Sequence, residues 1–389
     1  MIELNRLQTA IREENLSAWL FYGHFHRDEI ADLVLEVPPH SMNTRPWVCI
    51  IPARGEPVKI VHRIEAGILD HVPGRTISYA AREEYTAALR AALPASGKVG
   101  ADFSTSIPVA SYLDHGTGML LTSLGAGLVG SEALIARLLG SLSEEGRHTH
   151  EKAAGVLYRA VADAWAFVAR SFREGRRITE GEVRDRLSRA LAEAGLTCDE
   201  PPIVGAGVHT ADPHFGVVGV GATLSQGDVV QFDIWARYPT PGAVYADISW
   251  VGVCSEGPSA EQQRVFDAVV AAREAGVSLL QSTWAAGLPV TGAAVDRAAR
   301  AALVERGFGS AIRHRTGHSI GMRPHGYGVN LDSVEFPDER ILTEGACFSI
   351  EPGVYREDFG MRTEIDCIIA GGVPVITGGD RQRALLVLD

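Results

Sequence analysis

Four carboxylates stand in the middle of otherwise apolar strand-like runs, and any fold for this chain has to answer for their charge. Asp233 lies in the run Val229-Val230-Gln231-Phe232-Asp233-Ile234-Trp235, Asp247 lies in Tyr245-Ala246-Asp247-Ile248-Ser249, and the turn-rich Tyr238-Pro239-Thr240-Pro241-Gly242 joins them. Strand-forming residues bounded by Gly and Pro predict a β-hairpin. A hairpin centred on Thr240 sets positions 233 and 247 opposite each other on one face. Cross-strand neighbours have Cβ atoms about 4.5–5.5 Å apart, where like charges repel. The pair is therefore either solvated or shared by a cation, and the flanking Phe232, Ile234, Trp235 and Ile248 weigh against full solvation.

A second hairpin repeats the problem. Phe348-Ser349-Ile350-Glu351 runs into Pro352-Gly353-Val354-Tyr355, and the return strand Gly360-Met361-Arg362-Thr363-Glu364-Ile365 carries another acid among apolar residues. Four anions gathered in a sheet core are prohibitive without compensation, and two divalent cations supply the matching charge. His318 alone would read as a core histidine. Beside the acids it makes a set of four carboxylates and one imidazole without a thiolate, suited to manganese, cobalt, iron or catalytic zinc and not to a structural zinc.

The rest of the composition bounds the class. A chain of 389 residues leads us to expect two domains or one large one. With 46% hydrophobic and 22% charged residues it is an ordinary globular chain, neither disordered nor fibrous. A net charge of −12 disfavours nucleic acid and anionic membrane partners. The five cysteines are odd in number and never spaced as a C-x-x-C pair, so neither a disulfide framework nor a thiolate zinc site is expected. Charges interrupt the first residues, and no apolar run reaches membrane-spanning length. These features lead us to expect a cytoplasmic protein.

Residues 1–145 alternate a helix at 4–14, strands at 19–22, 47–52 and 58–62, a helix near 85–93, a further strand at 119–124 and a helix after Ser131, which predicts a small α/β domain. Residues 146–389 carry long helices with capping-box starts at Thr179/Glu182 and Ser259/Gln262, and strands at 229–235, 244–253, 346–350 and 361–369. Blocks of helices and hairpins predict an α+β domain with an antiparallel sheet and flanking helices.

Two motifs are set aside. Gly125-Ala126-Gly127-Leu128-Val129-Gly130 spells a dinucleotide fingerprint but falls at the end of its domain, with too little chain after it for a doubly wound fold. Gly317-His318-Ser319-Ile320-Gly321 spells a nucleophile elbow, yet no acid lies between Ser319 and the only later histidine, His325.

In order and spelling, Pro213-His214, the two hairpin aspartates, Gly317 to His325, Glu351-Pro352-Gly353-Val354-Tyr355 and Arg362-Thr363-Glu364 resemble the pita-bread metallopeptidases, which include aminopeptidase P, Xaa-Pro dipeptidase, methionine aminopeptidase and creatinase. The resemblance covers roughly residues 150–385. It implies two divalent metal ions, manganese before cobalt or zinc, held by Asp233, Asp247, His318, Glu351 and Glu364, with Asp247 and Glu364 bridging. It implies hydrolysis of the bond before proline by a solvent nucleophile activated between the ions. Glu351 would exchange its proton, and His214 and His325 would donate to the substrate carbonyl and the oxyanion. Without that context both are surface histidines. Arg362 is the arginine with motif support for a substrate carboxylate; Arg45, Arg237 and Arg323 lack it.

Arg45-Pro46 before the strand at 47–52, and Gly55-Glu56-Pro57 before that at 58–62, resemble a creatinase-type amino-terminal domain, which implies a homodimer. The chain also departs from the family. Its aspartates are 14 positions apart, a longer hairpin than usual, Trp235 stands where glycine is common, and Gly326 and Ile365 replace frequent acids. These departures keep two alternatives open: the same site acting on a small non-peptide substrate by C–N hydrolysis or osmolyte lysis, and a non-catalytic binding module.

Overall fold

The computed structural model describes residues 3–388, and the chain divides between Leu138 and Leu139 into two compact units. The first runs α1 (Leu4–Glu13), β1 (Ala18–Gly23), α2 (Glu29–Val34), β2 (Trp47–Pro52), β3 (Val58–His62), β4 (Arg75–Tyr79), α3 (Arg82–Ala92), β5 (Lys98–Ala101), α4 (His115–Ser123), β6 (Gly127–Gly130) and α5 (Glu132–Leu139). Its strands form one mixed sheet in the order β4-β3-β2-β1-β5-β6. Leu20, Val48, Ile50 and Ile60 from the central strands pack with Leu89 of α3 and Leu121 of α4 in its core.

The strand expected at 119–124 is instead part of α4. Asp114 caps that helix by accepting the Thr117 N–H at 2.9 Å, and Gly125 ends it with φ +100°. A short apolar run fits a helix or a strand equally well by periodicity, and here the cap decides. The glycine-rich stretch therefore leads from a helix into β6, the reverse of the order a dinucleotide site requires.

The second unit opens with α6 (Glu144–Arg173) and α7 (Glu180–Glu193), followed by β7 (Ile203–Ala206), β8 (Val229–Ala236) and β9 (Ala246–Val253). Then come α8 (Ala260–Ala285) and α9 (Gly292–Glu305), and last β10 (Cys347–Ile350), β11 (Gly353–Tyr355), β12 (Gly360–Arg362), β13 (Ile365–Ala370) and β14 (Val373–Ile376). Both expected capping boxes form, at Thr179 with Glu182 and at Ser259 with Gln262.

Strands β7-β8-β9 make one antiparallel sheet and β10-β13-β14 another, with β11 and β12 as a two-stranded ribbon. Side chains alternate across β8 and β9. Val230, Phe232, Ile234, Ala246 and Ile248 pack under α6 and α7, so Gln231, Asp233, Trp235, Asp247 and Ser249 share the opposite face. Helices α8 and α9 close a second core over Val251, Val253, Val354 and Met361. Coverage on both sides explains why these strands read as nearly continuous apolar runs.

The hairpin register differs from the expected one. Asp233 pairs with Ser249 and Trp235 with Asp247, so the centre is Pro241 and the aspartates are diagonal neighbours on one face. The strands part after Ala236 and Ala246 because Arg237 pairs with Thr197 and the Tyr245 N–H donates to Gly321 O at 2.9 Å.

Candidate metal centre

The two aspartates meet the second hairpin through backbone and side-chain bonds. The Glu364 N–H donates to Ser249 O at 3.0 Å, and the Asp247 N–H donates to the Asp366 carboxylate at 2.8 Å. Glu351 and Glu364 fall in the gap between the β10–β13 and β11–β12 ladders, which share one register, so they stand opposite each other. His318 is carried in on a segment hydrogen-bonded to β10, with Ser349 N–H to His318 O at 2.9 Å and Ile320 N–H to Cys347 O at 2.8 Å. Gly317 permits that approach, since a Cβ there would lie 2.0 Å from Ser349 O.

Ligand atoms of Asp247, His318 and Glu364 all lie within 4.8 Å of one another, and the three residues are buried. Glu351 Oε1 is 3.4 Å from His318 Nε2. Asp233 turns partly away: its Oδ2 is 2.5 Å from an Arg362 Nη and its Oδ1 is 2.9 Å from Ser249 Oγ. The same Ser249 hydroxyl is 2.9 Å from Glu364 Oε2 and 3.0 Å from Arg362 Nε. Its single proton can serve only one carboxylate at a time.

The electrostatics of this cluster suit a cation. Burial, then the Asp233 charge, raises the Asp247 carboxyl far above its usual range. Burial, then Asp247, does the same to Glu364, and burial raises Glu351. Asp247 Oδ1 is buried without a hydrogen-bond partner. Burial, then the Arg315 charge, lowers the His318 imidazole to about 3. A neutral His318 donates Nδ1–H to Ser319 O at 3.2 Å, which assigns the lone pair to Nε2. That lone pair faces Glu351 Oε1 at 3.4 Å and Asp247 Oδ2 at 3.7 Å. A lone pair opposed to carboxylate oxygens is repulsive until a proton or a cation lies between them, and these residues fit divalent ions in both donor type and charge.

The cavity over the cluster has a volume of about 710 Å³, and His214 and His325 line it. The rings of His325 and His318 are 4.2 Å apart, and the His318 neighbour, then partial burial, lowers His325 to about 3 while its outer edge stays exposed. Arg362 lines the cavity but gives its donors to Asp233, to Ser249 Oγ and to Tyr355 Oη at 2.8 Å. Against burial, Asp233, Tyr355 and Glu351 together hold it protonated.

Several neighbours escaped the sequence reading. Ser249 became visible only with the true register. His314, whose Nε2 is 2.7 Å from Tyr355 Oη, and Arg315, which lines the cavity, carry no periodic signal. Arg273 of α8 has no exposed surface, and its Nη1 donates to Thr363 Oγ1 at 2.6 Å, pinning the strand break next to Glu364. An arginine within the largely apolar run from Val265 to Leu280 was the one clue in the sequence.

A sequence family described as metallopeptidase family M24 matches residues 148–370. The Xaa-Pro dipeptidase of Lactobacillus helveticus is 31% identical over 187 residues, 47% of this chain and 46% of that protein. The probable dipeptidase PepE of Mycobacterium tuberculosis (strain ATCC 25618 / H37Rv) is 31% identical over 177 residues, 46% of this chain and 43% of that protein. The matched stretch thus spans somewhat less than half the length of these curated relatives. Among solved structures, dipeptidase PepE from Mycobacterium ulcerans superposes with a TM-score of 0.73 at 24% identity, covering 99% of this chain and 96% of that one. The N-terminal domain of FACT complex subunit SPT16 from Cicer arietinum superposes at 0.68 with 14% identity, and all of each chain is covered. At such identities the superpositions speak for the fold alone.

Proposed function

The chain belongs to metallopeptidase family M24 and has the pita-bread fold, and on that premise we propose that it is a metal-dependent peptidase hydrolysing the peptide bond before proline, of Xaa-Pro dipeptidase or aminopeptidase P type. The observation that carries the reading is the convergence of buried Asp247, His318 and Glu364, whose ligand atoms lie within 4.8 Å of one another. Fold alone would not suffice, because a FACT subunit shares it. The likeness in sequence to a Xaa-Pro dipeptidase and to a probable dipeptidase supports the peptide substrate.

In this proposal Asp233, Asp247, His318, Glu351 and Glu364 hold two divalent ions, manganese before cobalt or zinc. Such ions, when bound, would supply a solvent nucleophile at neutral pH. Glu351, raised by burial, is suited to exchanging a proton with the reacting groups and the leaving nitrogen. His214 and His325, which line the cavity, would donate to a substrate carbonyl or oxyanion. Arg362 positions Asp233 and Ser249 by donating to both. The first unit is read as a creatinase-type domain with a boundary near residue 145, the protein as a cytoplasmic homodimer, and its substrate as a small peptide.

The test is turnover of Xaa-Pro dipeptides and Xaa-Pro-Yaa tripeptides by the manganese-loaded protein. Metal-stimulated cleavage of either class is expected, and its absence with both rejects the proposal. Trp235 in the cavity wall favours a second reading, a small non-peptide C–N substrate, which turnover of such a compound with inert peptides would establish.

A further inference from the structure

We infer that Trp235 sets the size of the subsite that receives the substrate's amino-terminal residue and restricts it to small side chains; this rests on the peptidase reading above. Trp235 pairs with Asp247 across the β8–β9 ladder and lies two residues from Asp233 along β8, so its indole is on the face that carries both carboxylates. Two residues of strand span about 6.6 Å, which places it immediately beyond the ion-holding groups toward the hairpin tip. The indole is half-buried and lines the cavity, while its inner edge packs against the apolar cluster of Val244, Tyr245, Ile320 and Ile368. That packing holds the ring in place. A large rigid side chain fixed at this point takes up space that a substrate side chain would otherwise enter.

Charge around the cavity orients the peptide. Asp199 and Glu200 line the wall near Trp235, because the chain leading into β7 runs beside β8 there, with Ile203 paired to Asp233 and Thr197 to Arg237. Arg315, three residues before His318, also lines the cavity. A zwitterionic dipeptide in this field turns its ammonium end toward Trp235 and its carboxylate toward Arg315.

The experiment compares the manganese-loaded wild type with Trp235→Gly and Trp235→Phe on Ala-Pro, Leu-Pro and Phe-Pro. Circular dichroism and thermal melting establish that each variant is folded, and the phenylalanine variant keeps a packed edge if glycine does not fold. The wild type is expected to prefer Ala-Pro over Phe-Pro by at least about tenfold in kcat/KM. Trp235→Gly should bring the ratio near unity by raising Phe-Pro turnover, with Trp235→Phe between. An unchanged ratio in the folded variants overturns the inference. Calorimetric titration of the same proteins with alanine and phenylalanine reads the subsite without turnover. Tighter phenylalanine binding by Trp235→Gly, by about tenfold, supports the size limit even if no peptide is cleaved; equal affinities reject it. Failure of all three proteins to cleave any Xaa-Pro peptide rejects the peptidase reading instead.

Discussion

Replacing Glu364 by glutamine should make the metal-free protein more stable, although it removes a proposed ligand. Ligand atoms of Asp247 and Glu364 lie within the same 4.8 Å cluster. Two full charges at that distance repel by about 3 kcal/mol at an effective dielectric of about 20. Glutamine keeps the shape and an oxygen that accepts from Ser249, so the repulsion goes while the packing stays. The sign follows from linkage. A carboxyl raised above its unfolded value of 4.5 binds more protons when folded, so wild-type stability falls as pH rises above that value. The variant lacks this slope. After chelation, urea unfolding followed by circular dichroism should find the variant about 3 kcal/mol more stable at pH 8, with the difference shrinking to less than about 1 kcal/mol near pH 4.5. With excess manganese the order should invert, since only the wild type keeps its complete ligand set. A metal-free variant less stable than wild type at pH 8, or an offset independent of pH, would refute the electrostatic account.

Other residues give further checks. Glu351→Gln should retain its circular dichroism spectrum and lose at least about 100-fold in turnover; near-normal rates move proton transfer to another group. Burial holds His150 down to about 4 from 6.5, with its nitrogens 2.6 Å from Tyr245 O and 2.8 Å from Thr377 Oγ1. The unfolded chain therefore protonates first, and up to about 3 kcal/mol of stability present above pH 6.5 is lost as pH falls toward 4. A urea midpoint that is flat across that window in the wild type, or equally sloped in His150→Gln, contradicts this assignment. Arg273→Met strips the Thr363 hydroxyl of its charged partner and should lower stability by about 2 kcal/mol while weakening manganese retention in equilibrium dialysis. Wild-type retention would leave Arg273 with no part in holding Glu364.

Much of the molecule could be read in one dimension because the signals are local. A capping box needs only Thr179 and Glu182, or Ser259 and Gln262, and strand alternation needs only a single run. Where a local pattern has two solutions the reading failed. Residues 119–124 are apolar enough for a strand, and the Asp114 cap makes them helix. The strand expected at 361–369 breaks at Thr363 and Glu364, where Arg273 reaches in from a helix about 90 residues earlier.

The candidate site divides along the same line. That four acids in apolar strands needed positive charge followed from the chain alone, since burying an ion is costly in any fold. Which oxygens meet depends on pairing that the chain alone does not fix: the hairpin centre is Pro241, which puts Ser249 opposite Asp233. Residue types and their order determined the chemistry that is possible, because charge and donor hardness belong to side chains. Only packing decided that Asp233 faces Arg362 while Asp247, His318 and Glu364 converge, because distances between groups over a hundred residues apart exist only once the cores have closed.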